Sequence, residues 1–109
     1  MMRIHRLQSK KSFRVLFRLG KRKESEFFKC IELRNQLPFS RFAYIIPKVV
    51  DKRSVVRNRL RRRSREWMRT HLSPPAPPID FILFIKKEAA YLSREEFYSK
   101  LATFFAICL

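Results

Sequence analysis

Residues 79 to 87, IDFILFIKK, run almost without interruption through apolar side chains and stop on two lysines. A half-exposed strand alternates apolar with polar residues, whereas a continuous short apolar run predicts a strand buried on both faces in the middle of a sheet. A chain of 109 residues has room for one small domain, so residues 1–109 must supply the cover for that strand themselves. The expected fold class is therefore α+β, a small sheet packed with helices.

The flanking segments supply the other elements. From Ser9 to Leu19 the residues Phe13, Val15, Leu16, Phe17 and Leu19 recur at mostly helical spacing among Lys and Arg, with Ser9 as the N-cap. Gly20, the only glycine, stands where a left-handed helix C-cap is expected. FFKCIEL (27–33) and RFAYIIP (41–47) read as two strands around the NQLP turn, expected to pair antiparallel. A second helix is expected over 54–72, ended by the proline-rich connector SPPAPP at 73–78, which cannot continue a helix. In LSREEFYSKLATFFAICL, Ser93 and Glu96 have capping-box spacing, Leu92 and Phe97 form a staple, and Phe97, Leu101, Phe104 and Cys108 share one face. The predicted order is α-β-β(-β)-α-β-α, the bracketed strand being a short one hidden between 21 and 26.

Charge says what this fold is for. Twenty-six Lys and Arg face nine Asp and Glu, a formal +17 whose self-repulsion opposes compaction unless a polyanion is the partner. Eleven Phe and 46% hydrophobic residues separate the chain from disordered polycations, which lack the apolar content to fold. Ten basic residues lie between Lys48 and Arg69 against Asp51 and Glu66, and eight of the ten are Arg. Guanidinium matches phosphate with a planar fork of donors and stacks on bases, so RNA is the favoured partner over a merely solvated helix face. At 3.6 residues per turn, Val56, Leu60 and Trp67 fall on one narrow face of the second helix. Asn58, Arg62, Arg65 and Arg69 fall opposite, Arg57 and Arg59 lie on the flanks, and Arg63 sits on the anchor's edge.

Other chemistries find little support. His5 and His71 lack ligand-spaced partners, one glycine cannot build a phosphate loop, and Asp51, Glu66 and Asp80 form no close sequence pair, so no catalytic or metal residue is assigned. Cys30 and Cys108 read as reduced core residues. No segment reaches the roughly 20 apolar residues of a membrane span, and MMRIHRLQSKKSF lacks a signal-peptide core, so a cytoplasmic protein without a membrane partner is expected. Phe13 and Phe17 read by default as core, with base stacking as the alternative. Lys48 is a phosphate contact or a strand-edge charge, and Tyr44 core or rim.

Arg57-Asn58-Arg59-Leu60-Arg61-Arg62 followed by Arg65-Glu66 resembles the signature of the protein subunit of bacterial ribonuclease P. The flanks agree with that family in order: Arg6-Leu7, Phe13 and Phe17 four apart, Gly20, Lys48, and Asp80 before Phe81-Ile82-Leu83. The similarity runs from about Arg6 to Leu101. It implies a ribosomal-protein-S5-domain-2-like fold with a left-handed βαβ crossover through the arginine helix. It implies as partners the catalytic RNA of ribonuclease P and the 5′ leader of precursor tRNA, with no obligate protein partner. The magnesium of the reaction is then required by the RNA, and no cofactor is bound by the protein. By the same resemblance Arg57, Asn58, Arg59, Arg62 and Arg65 take RNA-backbone roles, Arg61 and Arg69 join them as RNA-binding, and Phe13, Phe17 and Lys48 become leader-cleft candidates. Val49 and Ser54 depart from the family pattern, Ile31 stands where a leader-side Tyr is common, and the connector is unusual. A structural, ribosomal-type RNA-binding protein is the alternative. A DNA regulator fits less well, because arginines with few amide or hydroxyl neighbours suit phosphate contact better than base reading.

Overall fold

The computed structural model describes residues 5–71 and 77–108. Its elements are β1 (His5–Arg6), α1 (Lys10–Leu19), β2 (Lys21–Glu24), β3 (Phe28–Arg34), β4 (Arg41–Ile45), α2 (Ser54–His71), β5 (Ile79–Ile85), a 3-10 turn (Lys87–Ala89) and α3 (Arg94–Cys108). The α+β class holds. The short strand expected between 21 and 26 is β2, and β1 adds a two-residue strand too short to show a period. Leu72 and most of the SPPAPP connector lie outside the described residues.

The five strands form one sheet in the order β1-β4-β5-β3-β2. Strand β5 is central, and every residue from Ile79 to Ile85 except Phe84 is buried. The expected antiparallel pairing of 27–33 with 41–47 is corrected here: β3 pairs antiparallel with β5, while β4 pairs parallel with β5 from its other side. The physical reason lies in the apolar run itself. A strand apolar on both faces gains most from neighbours at both edges, and it separates the two strands that chain proximity would have joined. Because β4 and β5 are parallel neighbours, the chain must cross over between them, and α2 makes that crossover. Strand β2, sequence KRKE, forms one edge, where charged residues discourage pairing with another sheet.

Alternate residues of β5 feed two cores. Phe81, Leu83 and Ile85 enter the larger cluster with Val56, Leu60, Trp67 and Met68 of α2 and Phe97, Leu101, Phe104, Phe105 and Cys108 of α3. Ile82 enters the smaller one with Leu7, Leu16 of α1, Ile31 and Ala43. Since neighbouring strand residues point to opposite faces, α1 covers one face of the sheet and α2 with α3 the other. The Phe105 ring ties the larger core together, with centroids 5.1 Å from both Trp67 and Phe81.

The helix ends follow the expected chemistry with one correction. Ser9 caps α1, its Oγ accepting from Ser12 N–H at 3.4 Å. At α3 the Ser93 Oγ accepts from Glu96 N–H and the Glu96 carboxylate accepts from Ser93 N–H, both at 3.1 Å. Gly20, however, is not left-handed: its φ is −71° and ψ 153°, ordinary extended backbone. What requires glycine is space, because a Cβ there would stand 2.5 Å from Ile31 Cγ2 and 2.6 Å from the Leu16 carbonyl oxygen. The two cysteines, distant in sequence, meet in the larger core with their sulfurs 3.4 Å apart.

Candidate nucleic-acid interface

Helix α2 is held to the sheet by Val56, Leu60, Ser64, Trp67 and Met68. The anchor is wider than Val56, Leu60 and Trp67 alone. It tolerates a buried hydroxyl because Ser64 Oγ donates to the Leu60 carbonyl at 2.8 Å. Asn58, Arg59, Arg61, Arg62, Arg65 and Arg69 face outward, and Arg57 and Arg63 are half-buried.

The arginines differ in what already occupies them. Arg57 turns back, donating from Nη1 to the carbonyls of Asp51 and Lys52 at 2.9 Å each, so it fastens the loop that enters the helix. Arg61 Nη1 donates to Asn58 Oδ1 at 2.6 Å, and Arg69 lies 3.7 Å from the Glu66 carboxylate. Arg63 Nη1 donates to the Leu92 carbonyl at 2.9 Å, spanning to the turn before α3. Arg59, Arg62 and Arg65 make no hydrogen bond or ion pair among the described residues. Arg53, counted in the basic stretch, is also spoken for: Asp51 accepts from its backbone N–H at 2.8 Å and from Nε and Nη2 at 3.1 Å. Asp51 takes the Tyr91 hydroxyl as well. Together the Arg53 side chain, the Tyr91 hydroxyl and the Arg53 N–H hold the Asp51 carboxyl well below the usual carboxylate range.

On the opposite face of the sheet, the two phenylalanines of α1 part company. Phe13 is half-buried against the smaller core, which Leu33, Ile45 and Phe84 also cover. Phe17 is 41% exposed, and its ring centroid lies 6.1 Å from that of Phe84. Lys29 Nζ hangs 5.7 Å over the same Phe84 ring. A groove of about 370 Å³ continues from Phe84 and Lys29 to Pro47 and Val49, which flank the exposed Lys48. Phe17 packs near Phe84 at this groove and Lys48 adjoins it in sequence, though neither is among its lining residues, while Phe13 lines a separate groove of about 440 Å³ with Arg6, Gln8 and Tyr44. Sequence reasoning missed Phe84 and Lys29. The signal for Phe84 was its place at the end of the apolar run, where the cover of the strand gives out. Tyr44 is half-buried against the larger core, and Ile31, at 1% exposure, lies beneath Gly20 and offers a ligand nothing.

Among the described residues, no three His, Cys, Asp or Glu side chains gather into a metal site. No helix there is long and apolar enough to cross a membrane.

Taken together, sheet order, crossover helix and flanking helices define the fold of the bacterial ribonuclease P proteins. The protein of Staphylococcus aureus superimposes with a TM-score of 0.86 at 19% identity, over 97% of this chain and 96% of that one. That of Thermotoga maritima does so with 0.78 at 22%, over 92% and 94%. The family model described as Ribonuclease P matches residues 1–108. A ribonuclease P protein component from Microcystis aeruginosa is 34% identical over 102 residues, 90% of this chain and 85% of the relative. One from Vibrio campbellii is 33% identical over 93 residues, 85% and 78%. The chain belongs to the ribonuclease P protein family.

Proposed function

We propose that this chain is the RNA-binding protein subunit of a ribonuclease P ribonucleoprotein, acting in the cytoplasm with a catalytic RNA in the endonucleolytic removal of the 5′ leader from precursor tRNA. The observation that carries the proposal is the state of Arg59, Arg62 and Arg65: exposed, without a partner among the described residues, and presented by a helix anchored from its other side. Guanidiniums held this way release condensed counterions when they meet phosphates, which gives strong, salt-sensitive affinity without base readout. Asn58, Arg61 and Arg69 border that face. Arg57 contributes mainly by fixing how the helix starts.

The leader is assigned to the other face, to Phe17 with Phe84 and Lys29, continuing toward Lys48. An unpaired strand can stack bases on exposed rings while lysines follow its backbone. Phe13, half-buried, supports this surface more than it touches a ligand. Between two polyanions a +17 protein screens their repulsion, so less magnesium suffices for the RNA to hold its substrate. The magnesium and the hydrolytic step belong to the RNA in this scheme, and the protein works by binding and positioning.

The test compares precursor tRNA bearing a 5′ leader with mature tRNA. The RNA–protein complex is expected to bind the precursor more tightly, by a margin that vanishes when the protein is omitted, and the protein alone is expected to cleave neither. Equal binding of both tRNAs by the complex would overturn the leader assignment and favour a purely structural RNA-binding role.

A further inference from the structure

Between α2 and α3 lies a groove of about 320 Å³ lined by Arg59, Arg62, Arg63, Glu66, Arg94 and Tyr98. Arg94 stands at the start of α3 and is no part of the family signature in α2. Its guanidinium carbon sits 5.5 Å over the Tyr98 ring, a cation–π contact that sets its position beside the groove. Arg63 enters from the other wall and is fixed by its bond to the Leu92 carbonyl, which uses one of its five donors. Four guanidiniums from two helices therefore surround one small space.

Among the described residues Glu66 is the one carboxylate lining that space, and its oxygen is shared with Arg69 at 3.7 Å. Like charges so disposed repel one another. Burial first, then the positive charges of Arg59, Arg94 and Arg62, push the Arg63 pKa below its ordinary value. A bound anion would reverse that repulsion. Four planar donor forks match phosphate oxygens. An acidic protein segment would want apolar anchors as well, and among the described lining residues only Tyr98 offers one.

We infer that this groove is a second phosphate-binding site, in which Arg94 and Arg63 join Arg59 and Arg62 to hold a phosphodiester of the RNA that the outer face of α2 engages. The inference rests on the RNA-binding reading above and adds α3 to the contact surface. It gives Arg63, on the anchor's edge, a binding role alongside its structural one.

The experiment uses the full chain and a refolded bacterial ribonuclease P RNA, with affinity measured across a salt series for wild type, Arg94→Gln, Arg94→Lys and Arg62→Gln. Arg94→Gln leaves the Ser93–Glu96 capping box in place, and an unchanged melting temperature verifies the fold. The expected result is about a tenfold loss of affinity and a salt slope shallower by about one, with partial recovery in Arg94→Lys. If Arg62→Gln weakens binding while Arg94→Gln matches wild type in affinity and slope, the groove is overturned and the outer face stands. If wild type itself shows no salt-dependent binding, the RNA-binding reading falls with it. A parallel melting series with inorganic pyrophosphate separates sources: stabilisation lost in Arg94→Gln with RNA binding unchanged would make this a free-anion pocket, contrary to the inference.

Discussion

Arg41 on β4 grips Asp80, its register partner on β5, through two bonds, Nε to Oδ1 at 2.9 Å and Nη2 to Oδ2 at 2.6 Å. Asn35 Nδ2 adds a third at 2.8 Å, and Arg41 also reaches Ser12 of α1 at 3.2 Å. The one acid in an otherwise apolar central strand is thus paired on arrival, and it links α1 to the sheet. Removing the carboxylate leaves the Arg41 charge half-buried without its partner. Asp80→Ala is expected to cost about 2–4 kcal/mol of stability, below the full buried-pair figure because Arg41 is partly exposed. Chemical denaturation checks it, and a loss under about 0.5 kcal/mol would contradict the assignment.

Gly20 supplies a second stability prediction. Alanine is compatible with its backbone angles, so any penalty must come from contact with Ile31 and the Leu16 carbonyl. The backbone oxygen cannot rotate away as a side chain would. Gly20→Ala should therefore cost about 1–3 kcal/mol, and Ile31→Val, which removes Cδ1 but keeps the Cγ2 in contact, should not relieve it. A neutral Gly20→Ala would show that α1 can shift freely on the sheet.

Phe17→Ala separates binding from folding. At 41% exposure the ring contributes little to the core, so the loss of stability should stay within about 1 kcal/mol. Stacking of a base is worth about 1–3 kcal/mol, so affinity of the complex for leader-bearing precursor should fall at least about fivefold, with mature tRNA unaffected. Parallel losses for both tRNAs would remove Phe17 from the leader surface.

Asp51 gives a pH signature. Its folded pKa is depressed by Arg53 and Tyr91, so the stability it contributes is fully present above its unfolded value, about 3.9. That contribution declines as pH falls from there through the folded value. The difference in unfolding free energy between wild type and Asp51→Asn should stay constant from about pH 7 to 5 and shrink below about pH 4. A difference that grows on acidification would contradict the contacts described at the start of α2.

The two buried thiols differ in how firmly their surroundings are held. Cys30 is fully buried in β3 and paired on both sides, whereas Cys108 sits at the end of α3, where the last turn frays. Alkylation of a buried thiol needs local opening, which costs least at a helix end, so iodoacetamide should modify Cys108 first, as read by peptide mass. Earlier modification of Cys30 would reverse the assignment.

Much of this architecture was legible in short patterns. The uninterrupted apolar run located the central strand, Ser93 and Glu96 located the start of α3, and the wheel separated the anchor of α2 from its arginines. What was not legible depended on distance in the chain. Nothing local in 27–33 and 41–47 announces that a strand some 40 residues later will come between them. Helix periodicity placed Arg57 on a flank of the charged face and the family resemblance added Arg61, but neither announces that their side chains turn back onto Asp51, Lys52 and Asn58. The place of Gly20 at the end of α1 was legible but the need for glycine there was not, because close approach to Ile31 leaves no local trace. Arg94 and Arg63 meet only through the packing of α3 on α2.

The central claim is that uncommitted guanidiniums on α2 let a catalytic RNA work at low magnesium. It is tested most directly by measuring leader removal at limiting magnesium with RNA alone, with wild-type protein, and with protein carrying Arg59→Gln, Arg62→Gln and Arg65→Gln together. The account predicts strong stimulation by wild type and near-complete loss in the triple variant, whose melting temperature should stay close to wild type because none of the three makes an internal bond among the described residues. A triple variant that stimulates as well as wild type would contradict it.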